Sequence, residues 1–408
     1  MKKNAAALVL SLLTLCFAGC SRAVAAGVSP PILPAPTVET IGVPKQEALP
    51  SPSPEPEPQR EPEPEPEPEP VTVTLRVVGD IMLHEAQQIS AKTAEGYDFS
   101  EYFARISAEL SCADLTIGNL ETPVANQPPS GYPRFNAPAA LLDELKSAGF
   151  DAFTIANNHI LDKGATGLSD TIDRLSEREL LFFGASKTEE DYKVLIVDVR
   201  GVKIALLGYT YGTNGHKDAK NQVRYLTESN MKADVAQARK AGADFIIAFP
   251  HWGAEYHQGI HSSPARWAKK LANAEVDLIL GSHPHVLEPM EKLTAEDGRE
   301  VIVVHSMGNF ISNQQKEPTY AGAIIEVVLT MQPDGSTALD SIGWLPTFVY
   351  RHPGKAKYKY EVLCADAEPV EGMNASAKRR LKRAAKYAAS RLENDFAIHL
   401  EPRKDDAS

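Results

Sequence analysis

Short runs of β-branched and aliphatic residues recur between positions 71 and 362, and each stops at a knot of polar residues. VTVTLRVV runs into Gly79-Asp80, ADLTIG into Asn119-Leu120-Glu121, and DAFTIA into Asn157-Asn158-His159. DFIIAF leads to Pro250-His251-Trp252-Gly253, VDLIL to Gly281-Ser282-His283-Pro284-His285, and VIVV to His305-Ser306-Met307-Gly308-Asn309-Phe310. Such runs read as buried strands. Between them, 98–110, 137–149, 165–180, 232–242 and 263–274 place apolar residues at helical spacing. Strands alternating with amphipathic helices predict α/β layers. We therefore expect one large domain over 71–362 and a helical tail over 363–408. The tail carries AKRRLKRAAKYAASRLENDF, whose basic face fits a solvated helix on the domain's flank better than one lying on a membrane or an anionic polymer.

The first 70 residues follow a different pattern. Lys2 and Lys3 precede an apolar run from Ala5 to Phe17, too short for a comfortable membrane span, and Ala18-Gly19-Cys20 closes it. This is the layout of a secretory signal over 1–19, and FAGC resembles a bacterial lipoprotein cleavage site, with Cys20 as the lipidated residue. The chain is then expected outside the cytoplasm, anchored to the cell membrane. Residues 20–70 are rich in proline and end in SPSPEPEPQREPEPEPEPEP. Alternating Pro and Glu builds no core and favours an extended, disordered stalk. Of the net charge of −12, residues 1–70 carry −4 and residues 71–408 carry −8. No basic stripe suggests nucleic-acid binding. Cys112 and Cys364 are expected as free thiols, since one candidate pair makes no disulfide framework.

In open α/β sheets, ligands bind beyond the carboxyl ends of the strands. Six strand ends carrying Asp, Glu, Asn or His suggest one site assembled across the sheet. The set holds carboxylates, an amide and imidazoles, with no thiolate. Oxygen and nitrogen donors suit one or two divalent ions of the Mn, Fe or Zn type. A shared carboxylate can bridge two ions, the arrangement of two-metal hydrolases.

GDIMLH, GNLETPV, FNAP, ANNHILDKGATGL, GYTYGTNG, HWGAEY, LILGSHPHVLEPME and HSMGNFISN, in that order over about residues 72–350, resemble the motifs of the CapA family. This is the poly-γ-glutamate capsule biosynthesis family of the calcineurin-like metallophosphatase superfamily. The resemblance implies a four-layer α/β/β/α sandwich. It implies that Asp80 ligates a first metal, Glu121 bridges, and Asn158, His251 and His283 serve a second, with His285 on the first. His159 would be the general acid or an oxyanion stabiliser. The superfamily's first motif usually reads Asp-x-His, whereas Asp80 is followed by Ile81 and Met82. His84 either replaces the missing imidazole or only lines the pocket, so one ion or two are both open.

Arg134, Tyr209, Tyr211, Asn214, His305 and Asn309 are candidate substrate or supporting contacts, and Glu255 and His257 are candidates to orient His251. His216, His261 and His352 read as surface residues. Two functions compete. One is a metal-dependent hydrolase acting on a phosphoester or amide of an envelope polymer. The other is a non-catalytic subunit that grips poly-γ-glutamate or aids its export by the membrane subunits of a capsule synthase.

Overall fold

The computed structural model describes residues 69–352 and 359–403. The expected signal, Cys20 and the Pro/Glu stretch up to residue 68 lie outside the described residues, as does the side chain of His352. The chain begins a first sheet with β1 (Val71–Ile81), β2 (Leu115–Leu120), β3 (Ala152–Thr154) and β4 (Leu181–Phe183). It crosses to a second sheet for β5 (Leu195–Val199), β6 (Val202–Thr210), β7 (Phe245–His251), β8 (Leu278–Leu280), β9 (Leu287–Thr294) and β10 (Glu300–Met307). It returns to the first with β11 (Asn309–Ile311), β12 (Ala321–Met331), β13 (Thr337–His352), β14 (Lys359–Cys364) and β15 (Ala397–His399). The first sheet runs β14-β13-β12-β1-β2-β3-β4, with β11 on β1 and β15 on β13; the second runs β5-β6-β7-β8-β10-β9.

Strand alternation sorts the side chains into layers. On β1, Val73, Leu75 and Val77 face the second sheet, where Ile204, Leu206, Ile247 and Val304 meet them. The other face of the first sheet packs on the short helices α1 (Glu85–Ala91), α2 (Ser100–Phe103) and α3 (Ser107–Leu110), and on α4 (Ala140–Ser147) and α5 (Gly164–Ser176). Ala205, Leu207, Ile246 and Val303 on the second sheet's outer face pack on α6 (Glu228–Lys240) and α7 (Ser262–Asn273). The result is the expected α/β/β/α sandwich. The stripe at 98–110 forms two short helices rather than one, with Phe99, Tyr102, Phe103, Ile106 and Leu110 buried throughout.

The expected boundary at 362 falls inside β14. The tail's helix, α8 (Ala375–Leu392), starts at Asn374, whose side chain accepts the Ala377 N–H at 2.9 Å. Its Leu381, Ala384, Ala388 and Leu392 are buried at helical spacing, against β9, β12 and β13. Its apolar stripe thus belongs to the core, and only the opposite side meets solvent. Cys112 is half-buried and Cys364 buried, and no disulfide joins them.

The parallel strands β1, β2 and β3 of one sheet and β6, β7, β8 and β10 of the other end at one rim. Two glycines let these ends approach. A Cβ on Gly79 would sit 2.0 Å from the Gly308 carbonyl oxygen, and one on Gly281 would sit 2.2 Å from that of His305. We expect Gly79→Ala to lower unfolding stability by about 2–3 kcal/mol, as overpacking does. Gly212→Ala, in open space, should change it by less than about 0.5 kcal/mol. Urea midpoints compare the two, and equal midpoints would contradict the packing argument.

Candidate metal centre

The site begins where β1 and β2 stop. A register shift near Gly79 places Asp80 beside Asn119. The Asp80 Oδ1 atom accepts a 2.8 Å hydrogen bond from Asn119 Nδ2, and its Oδ2 lies 2.9 Å from His285 Nδ1. Glu121, one residue past β2, has its backbone N–H bound to the Ile81 carbonyl. Its Oε1 lies 3.5 Å from His251 Nε2 and 3.8 Å from His285 Nε2, with no hydrogen bond of its own. His251, the last residue of β7, brings Nε2 to 3.0 Å from Asn158 Oδ1 and Nδ1 to 3.0 Å from Ser282 Oγ. His283 stands 4.7 Å from the His251 ring, and its Nδ1 is buried without a partner.

His283 and His285 adopt φ values of 100° and 60°, in the left-handed region that disfavours non-glycine residues. Such backbone costs energy and persists where its surroundings enforce it. The SHPH turn spends this strain to aim two imidazoles from one loop at the same carboxylate.

Two overlapping groups have donor atoms within 4.8 Å of one another: Glu121, His283 and His285, and Asp80, Glu121 and His251. Glu121 belongs to both. Bonds of about 2.1 Å to a central ion put neighbouring donors about 3–3.5 Å apart, close to the contacts above. The orphaned Glu121 and His283 atoms, all buried, complete a donor set that fits divalent ions.

The electrostatics agree. Burial, and then the Asp80 charge, push the Glu121 carboxyl well above its usual range. Burial also pushes Asp80 up, but the hydrogen bond and charge of His285 outweigh it and hold Asp80 below its usual range. Burial, with neighbouring imidazoles, drives His251 and His283 well below theirs, so both are neutral and free to ligate.

His159 hydrogen-bonds through Nδ1 to Asp162 Oδ2 at 2.8 Å, and Asp162 also accepts the Phe135 N–H. Asn214, at φ 49°, lies within 3.4 Å of both Asn158 and His159. Tyr211 is half exposed and its ring stands 4.6 Å from that of His283. His84 is not in either donor group. It caps α1, packs edge-on to Phe135 and accepts the Asn313 N–H at Nδ1.

Other candidates stand elsewhere. Tyr209 shares the outward face of β6 with Ala205 and Leu207 and is buried beneath the second sheet's helices, away from the rim. His305 likewise points outward from β10, to Glu291 and Trp252. Asn309 braces the 314–319 loop through Gln314 and Thr319. Glu255 and His257 form no hydrogen bond with His251; Ser282 and Asn119 orient it instead. Arg134 is exposed. His216 approaches Asp162 at 3.7 Å, and His261 caps α7. Asn119, Asp162 and Ser282 are contributors that the sequence reading passed over, although all three lie inside its quoted motifs.

A sequence model of the family described as bacterial capsule synthesis protein PGA_cap matches residues 74–314. The capsule biosynthesis protein CapA of Bacillus anthracis is 29% identical over 282 residues, 66% of each chain. The PGA biosynthesis protein CapA of Bacillus subtilis is 28% identical, over 63% of this chain and 68% of its own length. Both alignments thus span about two thirds of the relatives. The calcineurin-like phosphoesterase YfkN of Bacillus subtilis aligns at 16% identity and a TM-score of 0.41, covering 78% of this chain and 97% of that one.

Two titrations follow. The fold holds a proton on Glu121 that the unfolded chain releases above about pH 4.5, so this group's contribution falls as pH rises. In chelator, Glu121→Gln should therefore be about 1–3 kcal/mol more stable than wild type at pH 8. Mn²⁺ should raise the melting temperature of wild type only; a variant no more stable in chelator would contradict the buried-charge reading. Burial, then the charge of His285, lowers His84 to about 4 from 6.5. The unfolded chain takes up this proton first, so stability falls between pH 6.5 and 4. His84→Asn should remove about 2–3 kcal/mol of that acid loss; an unchanged acid limb in urea titrations would refute it.

Proposed function

The chain belongs to the bacterial capsule synthesis protein family, and from that premise we propose that it is a lipid-anchored, extracytoplasmic hydrolase. It uses divalent metal ions to process an anionic envelope polymer such as poly-γ-glutamate. The observation that carries this reading is the buried, unpartnered Glu121 oxygen shared by two donor groups. Asp80, Asn158, His251, His283 and His285, gathered around the shared Glu121, would hold the ions. Such ions would supply Lewis acidity and acidify a water at the site.

The chain's own residues supply the remainder. Asp162 accepts from the Nδ1 side of His159 and fixes the ring, leaving Nε2 to give a proton to the leaving group. Asn214 braces Asn158 and His159 from the opposite strand end. Tyr211 walls the His283 side and limits water there. The scissile bond is a phosphoester or an amide of the polymer backbone. Cys20 carries the lipid, the Pro/Glu stretch spaces the domain from the membrane, and membrane subunits of a capsule synthase are its partners.

Metal-reconstituted chain should hydrolyse bis-p-nitrophenyl phosphate or poly-γ-glutamate. His159→Ala should lower kcat about 10²–10⁴-fold with metal content unchanged, and Asp162→Asn should shift the pH profile as well as the rate. If the metal-loaded wild type cleaves neither substrate, the hydrolase reading fails and the site serves to grip polymer.

A further inference from the structure

The helix α8 lies beyond the family match at 74–314. Its sequence, ASAKRRLKRAAKYAASRL, holds seven Lys or Arg and no Asp or Glu, in a chain of net charge −12. Because Leu381, Ala384, Ala388 and Leu392 are locked in the core, the rotation of the helix is fixed. Lys378, Arg379, Lys382, Arg383 and Lys386 are left exposed. Lys378, Lys382 and Lys386 follow one another every four residues, as do Arg379 and Arg383. Like charges at this spacing destabilise a helix. Among the described residues, only Glu317 forms ion pairs with α8, through Arg380 and Arg383. Among the described residues Lys378, Lys382 and Lys386 have no such acid, and a local rule broken without compensation points to function.

The cationic side leads to the site. Glu317 belongs to the loop after β11, and in the same loop Lys316 Nζ sits 4.3 Å from the centre of the Tyr256 ring. Gln314 also bonds the Tyr256 hydroxyl. The Tyr256 ring in turn stands 6.1 Å from that of His285. Arg380 and Arg383, their partner Glu317, and Lys316 therefore link α8 to the edge of the metal centre.

We propose that α8 and Lys316 form a docking track for a linear polycarboxylate, which holds the polymer while a segment of it reaches the cleft. This rests on the hydrolase reading for the polymer's identity. An anionic membrane is the weaker occupant: interfacial helices bury an apolar face in lipid, and the apolar face of α8 is already spent on the core. A flexible chain with a carboxylate on every repeat matches a row of cations without needing apolar contact.

The test uses the full chain and the triple variant Lys378→Glu/Lys382→Glu/Lys386→Glu, with Lys316→Ala as a second probe away from the helix. Long poly-γ-glutamate should bind the triple variant at least tenfold more weakly than wild type, with a shallower dependence on salt. Lys316→Ala should weaken it less, by a few-fold. Metal content and turnover of bis-p-nitrophenyl phosphate, if any, should match wild type in both variants. Equal polymer affinity in wild type and triple variant would overturn the track, as would binding to phosphatidylglycerol vesicles in place of polymer. Loss of polymer binding in the variant, in a wild type that hydrolyses nothing, would uphold the track while refuting the hydrolase reading.

Discussion

Asp80 and Glu121 are fully buried within reach of the same imidazoles, and among the described residues neither forms an ion pair with a lysine or arginine. Burying one unpaired carboxylate is costly, and a second nearby raises the cost. The folded chain meets it in two unequal ways. Asp80 keeps its charge by leaning on His285 and Asn119, while Glu121 is pushed to hold a proton. A divalent ion reverses that order, because it rewards both acids for being charged. The arrangement is poor for stability alone and apt for holding cations, a trade common at functional sites.

The remaining architecture keeps that cluster together. Two sheets end their parallel strands at one rim, so residues from β1, β2, β7 and the turns after β3 and β8 converge although they are far apart in sequence. Gly79 and Gly281 remove the side chains that would separate the strand ends. The strained SHPH turn then points two imidazoles inward. Asn119 and Ser282 orient Asp80 and His251, and Asn157 holds the Leu120 carbonyl beside Glu121. The outward layers, α4 to α7, contribute packing but no donor. Only α8 adds a different chemistry, because its core-facing side is apolar and its outer side cationic.

The sequence made the site more legible than the fold's edges. Polar residues at the ends of apolar runs are a strong signal, since each interrupts a pattern that burial would otherwise continue. Hence Asp80, Glu121, Asn158, His251, His283 and His285, nominated together, also stand together. The inward or outward direction of a side chain was harder to read. Tyr209 and His305 lie close to the rim in sequence, yet strand alternation turns both toward the outer helices. His84 could be placed at a helix start, but only the packing of Phe135 and Asn313 fixes where its ring goes. The long antiparallel pair β12–β13, the antiparallel β14 and the short parallel β15 escaped notice because strands at this side of the sheet carry no polar knot. The tail read as solvated because its cations dominate the pattern, although five apolar positions carry it into the core.

The shared carboxylate and the two imidazoles of one turn converge on a candidate metal site at the sandwich's rim. The most direct measurement is anomalous diffraction from crystals of the folded chain grown with Mn²⁺, collected above and below the manganese edge. The account predicts anomalous density in contact with Glu121, flanked by Asp80 and His285 on one side or by Asn158, His251 and His283 on the other, or by both. Crystals with manganese bound only elsewhere, or with none at all at saturating concentration, would contradict it.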